Sequence, residues 1–66
     1  GDAVHVAPGA VLAGNVSIGE RTFVGANAVI KQGIVVGKDV VIGAGTVVIT
    51  NIPDGAKVVG NPGRII

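Results

Sequence analysis

Aliphatic residues return at every sixth position along most of this chain: Val6, Leu12, Ile18, Val24, Ile30, Val36, Ile42 and Val48. Written in sixes from Val6, the sequence reads VAPGAV, LAGNVS, IGERTF, VGANAV, IKQGIV, VGKDVV, IGAGTV, VITNIP. The fifth column is Ala10, Val16, Thr22, Ala28, Ile34, Val40, Thr46 and Ile52, all small or β-branched and suited to a narrow interior. No 3.6-residue period is present, and Gly and β-branched residues form helices poorly, so the repeat predicts short extended segments.

The fourth column supplies the corners. It holds Gly9, Asn15, Arg21, Asn27, Gly33, Asp39, Gly45 and Asn51, and all but Arg21 belong to the residue types that tolerate positive φ. The column before it is free and accepts Pro8, so each unit reads as a strand ending in a type II turn, as in Ala7-Pro8-Gly9-Ala10. Arg21 breaks the pattern and predicts a strained or differently turned corner. Such short strands bury no face alone and must stack as a solenoid. Most glycines fall in the non-core columns (Gly9, Gly14, Gly19, Gly25, Gly33, Gly37, Gly43, Gly45 and, by register, Gly1), and Phe23 is expected to point outward from a bore too narrow for rings.

Composition restricts what such a solenoid can be. Sixty-six residues allow one small domain, whose lone core is marginal without a staple or a partner. There is no Cys, and a lone His5 holds no structural metal, which leaves self-association as support. A net charge of +1 with 14% charged residues gives no footprint for nucleic acid. Mean hydropathy is +0.73, yet no apolar run approaches a membrane span. No secretory leader is visible, and cysteine is absent, so a cytoplasmic location is expected. The absence of Met reads as a trimmed, processed or designed chain. Gly43-Ala44-Gly45 and Gly33 to Lys38 imitate nucleotide-binding loops but lack the third glycine and the hydroxyl residue those loops need.

The units follow a pattern of an aliphatic residue, a small or acidic one, two free positions, a small Ser/Thr/Ala/Val and a further free one. Over essentially the whole chain this resembles the hexapeptide-repeat acyltransferases. The resemblance implies an all-β, left-handed parallel β-helix: a three-sided solenoid of 18 residues per coil with about 3.5 coils. The general rule for parallel crossovers would give the opposite hand. Residues 1–53 are expected to form the β-helix and 54–66 a C-terminal strand or tail completing the last coil. Residues 18 apart should stack, placing Val11/Val29/Val47, Ser17/Val35/Pro53 and His5/Phe23/Val41 on three outward faces. The ending Ile52-Pro53-Asp54-Gly55-Ala56-Lys57-Val58-Val59-Gly60-Asn61-Pro62-Gly63-Arg64 resembles the terminal signature of these enzymes, with Gly63 where Ala is usual. The stretch from Val4 to Val16 is similar to the sialic acid O-acetyltransferase and UDP-sugar N-acetyltransferase group.

That resemblance implies the acyl-CoA-binding part of an acetyl-CoA-dependent sugar acetyltransferase, with acetyl-CoA as a donor substrate rather than a tightly held cofactor. It points to Gly14 and Ala44, whose main-chain N–H groups would meet the thioester carbonyl and the pantetheine arm. It points also to Gly60, Asn61 and Pro62 lining a groove between subunits. Arg64, with Lys57 or Lys38, is a candidate for the CoA phosphates. His5 matches an accessory histidine near the donor. The group's catalytic histidine precedes the matching position by about half a coil, so this chain is expected to be inactive alone. Gly14 and Ala44 equally suit plain corner residues, and His5 a plain exposed histidine. The outward strip Val11, Val29, Val47 reads as a homotrimer interface, with end-to-end stacking a further possibility. The other reading is a non-catalytic truncated or designed scaffold. Neither reading calls for a metal.

Overall fold

The structure, a computed structural model, describes residues 3–66; Gly1 and its expected place in a corner lie outside the described residues. Each unit contributes a two-residue strand made of its predecessor's outward residue and its own inward aliphatic. These are β1 (His5–Val6), β2 (Val11–Leu12), β3 (Ser17–Ile18), β4 (Phe23–Val24), β5 (Val29–Ile30), β6 (Val35–Val36), β7 (Val41–Ile42) and β8 (Val47–Val48). They are followed by β9 (Lys57–Val59) and β10 (Arg64–Ile65). Three sheets result: A, in the order β1-β4-β7-β9-β10; B, β2-β5-β8; and C, β3-β6. The described residues contain strands and turns and no helix, so nothing there is long and apolar enough to cross a membrane as a helix.

Stacking follows the expected spacing. Val6 lies beneath Val24 and Val24 beneath Ile42; Leu12, Ile30 and Val48 form a second column, and Ile18 and Val36 a third, all in parallel register. The core is this set of columns: Val24, Ile30 and Ile42 are fully buried, whereas Val6 and Leu12 of the first coil remain 42% and 40% exposed. Burying an aliphatic side chain of this size contributes roughly 1.5–3 kcal/mol.

Corners repeat as faithfully as the core. Gly9, Asn15, Arg21, Asn27, Gly33, Asp39 and Gly45 all have positive φ. Arg21 corrects the expectation attached to it: its φ of 58° matches that of Asn27 at 59°. Its side chain forks onto the carboxylate one coil above, with Nε donating to Asp39 Oδ1 at 2.7 Å and Nη2 to Oδ2 at 3.0 Å. Corners also bond to one another, as when Gly45 N–H donates to Ala26 C=O at 2.8 Å and Gly33 N–H to Gly14 C=O at 3.0 Å.

The last coil departs from the repeat. Ile52, assigned to the fifth column, instead bridges Val36 and is 5% exposed, so it takes an inward first-column place two residues early. From there the offset between coils is shorter, with Val41 opposite Lys57 and Ile42 opposite Val58. Asn51 therefore lacks the positive φ expected of it, and Gly55 (φ 74°) takes the corner. Asn51 stands over Val35 where Pro53 was expected, and its Oδ1 accepts the Val35 N–H at 2.8 Å. Pro53 has no N–H and could not itself join a ladder. Beyond β9 the chain turns back, and β10 pairs antiparallel to β9, Arg64 opposite Val59.

Candidate functional site

The candidate residues spread over the surface; the chain alone encloses no cavity among the described residues. His5 lies outward on sheet A, and its ring stacks on Phe23 with centroids 5.2 Å apart and an interplanar angle of 15°. No acidic side chain is hydrogen-bonded or ion-paired to it among the described residues. A carboxylate or a main-chain carbonyl accepting from one ring N–H is what fixes an imidazole tautomer for base catalysis.

Gly14 and Ala44 occupy different corners. Gly14 is exposed at the corner between sheets B and C, and nothing lies within 4 Å of where a side chain would begin. Ala44 is exposed at the corner between sheets A and B. Sheet B thus separates them within one chain. What they share is main-chain chemistry: neither N–H finds an acceptor among the described residues, because the second residue of each turn directs its N–H away from the coil. Gly25 keeps the Ala44 side close, since a Cβ on Gly25 would stand 2.6 Å from the Ala44 nitrogen.

The Gly60-Asn61-Pro62 turn, with a cis Asn61–Pro62 peptide, fastens onto sheet B. Val47 N–H donates to Gly60 C=O at 3.0 Å, and Gly63 N–H donates to Val47 C=O at 2.7 Å. Arg64 and Lys57 are exposed on sheet A, Lys57 opposite Val41 and Arg64 opposite Val59. The structure therefore brings Ala44, Gly60 to Pro62, Lys57 and Arg64 to the same end of the solenoid, and leaves His5 in the first coil. Lys38 stands apart from them at the corner between sheets C and A.

Charge is segregated around the axis. Glu20, Arg21, Lys38, Asp39 and Asp54 stack at that C–A corner. There the Arg21 guanidinium, hydrogen-bonded to Asp39, holds the Asp39 carboxyl below the usual range and raises its own pKa. The corner between sheets A and B, made of Ala7 to Gly9, Gly25 to Asn27 and Gly43 to Gly45, carries no charged residue. No cluster of metal-ligating side chains exists among the described residues.

One side chain at this corner escaped notice in the sequence. Asn27 reads there only as a residue tolerant of positive φ. In the structure its carboxamide lies back over Gly9, in space that a Cβ on Gly9 would occupy. The signal was available as the pairing of Gly9 with a residue 18 later that has a side chain long enough to reach it.

The fold and its corners define a β-solenoid of hexapeptide units. The family profile described as the hexapeptide repeat of succinyl-transferase matches residues 15–50, and the chain belongs to this hexapeptide-repeat family. No curated protein matches it. Among solved structures it is similar to the acetyltransferase domain of PglB from Neisseria gonorrhoeae in complex with acetyl coenzyme A. That match has 46% identity and a TM-score of 0.94 over 96% of this chain and 31% of that one. It is similar also to a variant of perosamine N-acetyltransferase from Caulobacter crescentus in complex with CoA and GDP-perosamine, at 42% identity and TM-score 0.99 over 100% of this chain and 31% of that one. WeeI from Acinetobacter baumannii matches at 42% identity and TM-score 0.95, over 100% of this chain and 34% of its own. The chain thus spans about a third of the length of these relatives.

Proposed function

We propose that this chain is the acyl-CoA-binding part of an acetyl-CoA-dependent sugar acetyltransferase and that its donor site is completed by a second copy in a homotrimer. The observation that carries the reading is the backbone match to acetyltransferases crystallised with acetyl-CoA or CoA, at over 40% identity along nearly the whole chain. The geometry supports it. Candidate donor-binding groups sit on opposite borders of sheet B, so a groove that uses both must be built from two subunits. Packing through Val11, Val29 and Val47 would set the Ala44 corner of one subunit against the Gly14 corner of its neighbour.

In that groove the free N–H groups of Gly14 and Ala44 donate to the thioester carbonyl and the pantetheine amides. Gly60 to Pro62 form the wall, and Arg64 with Lys57 meets the phosphates. His5 contributes near the acetyl group as an accessory residue. In this reading the general base is supplied from outside these residues, in keeping with a His5 to which no acid is hydrogen-bonded or ion-paired among the described residues. The 66 residues alone are therefore expected to bind the donor without turning it over.

Calorimetric titration with acetyl-CoA, run beside sedimentation equilibrium, tests both parts. Saturable heat and a mass three times 6.4 kDa are expected. A folded monomer at micromolar concentration would remove the trimer, and no heat at millimolar acetyl-CoA would leave only a scaffold.

A further inference from the structure

The uncharged corner between sheets A and B presents a row of main-chain donors with one gap. Ala26 and Ala44 hold equivalent turn positions in successive coils, and neither N–H finds an acceptor among the described residues. The equivalent residue one coil lower is Pro8, which has no N–H to offer. Asn27 fills that level: its carboxamide lies over Gly9, the residue after Pro8, and has no hydrogen-bond partner among the described residues. Gly9 permits this placement because its Cβ would collide with Asn27 Oδ1, and its φ of 81° favours glycine independently.

We propose that the Asn27 carboxamide is a specificity-determining group of the donor site, supplying the amide-binding contact that Pro8 removes from the corner. The inference rests on the donor-site reading above and adds the ligand chemistry that the corner selects: an extended chain of amides spaced by β-alanyl units, as in the pantetheine arm. Coils repeat at the interstrand spacing of about 4.8 Å. An extended α-residue advances about 3.4 Å, and the extra methylene of a β-alanyl residue adds roughly 1.3 Å. Successive amides of the arm therefore keep step with successive coils. Ala44 and Ala26 offer one main-chain donor each, and Asn27 supplies a donor at the Pro8 level through its carboxamide N–H, which engages a carbonyl of the arm.

The test compares wild type, Asn27→Gly and Asn27→Asp by calorimetry with acetyl-CoA and with adenosine 3′,5′-bisphosphate, which lacks the arm. Both replacements tolerate the positive φ, and Asp keeps the size while removing the donors. Each variant is expected to bind acetyl-CoA about three- to tenfold more weakly, the loss of one hydrogen bond, with bisphosphate binding unchanged. Adding Pro8→Ala to Asn27→Gly restores a main-chain N–H at that level and should recover part of the loss. In wild type, the Asn27 side-chain amide resonances should move on adding acetyl-CoA. If wild type binds acetyl-CoA and the variants bind it equally well, the role of Asn27 is overturned while the donor site stands. Weakening that extends equally to the bisphosphate also overturns it. Failure of wild type to bind acetyl-CoA sinks both.

Discussion

The regular coils and the closing coil solve the same problem by different means. From Val6 to Val48 the main chain does the work: each coil's N–H groups donate to carbonyls of the next, as in Ala7 to Val24 at 2.8 Å and Phe23 to Val40 at 2.8 Å. After Val48 the step to the next inward residue is short, and side chains enter the ladder. Asn51 Oδ1 takes the N–H of Val35, and Asp54 Oδ1 takes the N–H of Lys38, a group that the equivalent corners at Ala26 and Ala44 leave to solvent. A ladder made of main chain requires strict repetition and tolerates nearly any outward side chain. A ladder that loses its phase needs particular residues. Most of this fold is therefore insensitive to side-chain identity away from the core columns, and the closing coil is not.

The sharpest test of that contrast uses two glycines at equivalent positions. A Cβ on Gly25 would stand 2.6 Å from Ala44 N and 2.8 Å from Ile42 O, all main chain of the next coil. At Gly43 the next coil is the closing one, and the nearest atom is Val59 Cγ1 at 3.3 Å, the end of a side chain. Backbone cannot yield without parting the ladder, so Gly25→Ala is expected to cost at least about 3 kcal/mol. A domain of this size has only about 3–10 kcal/mol in total. Gly43→Ala should cost under about 1 kcal/mol. Urea midpoints measure both, and equal losses would erase the distinction between the two regions.

Two interior threonines give the next largest effect. Thr22 Oγ1 donates to Gly37 C=O at 2.7 Å and accepts from Val40 N–H at 3.2 Å, so it closes the corner of the coil above it. Thr46 is equally buried, but its Oγ1 has no partner among the described residues. Replacing Thr22 by Val strands a buried N–H and should destabilise by about 2 kcal/mol. Thr46→Val removes an unpaired buried hydroxyl and should stabilise by up to about 1 kcal/mol. Opposite signs in denaturant melts are the expectation; loss of stability in both would mean that Thr46 has a partner through solvent.

These threonines show where the sequence was readable and where it stopped. Columns of Val, Leu and Ile at six-residue spacing announced the solenoid, and Gly, Asn and Asp announced the corners, because both signals follow from local geometry repeated many times. Arg21 misled because a single bulky residue was weighed against its corner alone; the compensating carboxylate of Asp39 lies a full coil away. The shortened step at Ile52 was hidden for another reason. Ile52 suits the fifth column, so the count runs through it, and only Asp54 at the next first-column place marks the lost phase. The N–H groups of Gly14 and Ala44 were pointed to by the family resemblance, whereas the Asn27 carboxamide over Gly9 depends on which way one side chain leans, and no column records that.

A smaller effect probes the substitution of side chain for main chain directly. Asn51→Ala leaves the Val35 N–H to solvent, and because that bond is exposed the cost should be near 1 kcal/mol. Asn51→Asp keeps an acceptor in place and should lose much less. Hydrogen exchange at the Val35 amide reads the bond itself: faster in the alanine variant and near wild type in the aspartate one. Equal exchange in all three would show that the closing coil does not depend on this oxygen.

The smallest effect concerns the corner where two regular coils exchange charge. Arg21 holds the Asp39 carboxyl below its usual range, chiefly through the hydrogen bond from the guanidinium, and Lys38 adds to the pull. A carboxylate whose pKa is depressed by folding contributes stability above its unfolded value, about 3.9, and that contribution disappears as pH falls through the lower folded value. Both side chains are solvent-exposed, so the effect is screened and should weaken further in salt. Arg21→Asn removes the guanidinium while supplying a residue that favours the corner's positive φ. The difference in melting temperature between wild type and this variant should stay constant from pH 8 to pH 5 and change only below about pH 4. There the shift should lower wild type relative to the variant, whatever the sign of the difference at neutral pH. A difference that varies between pH 5 and pH 8 would point to another group and detach Asp39 from the stability of the regular coils.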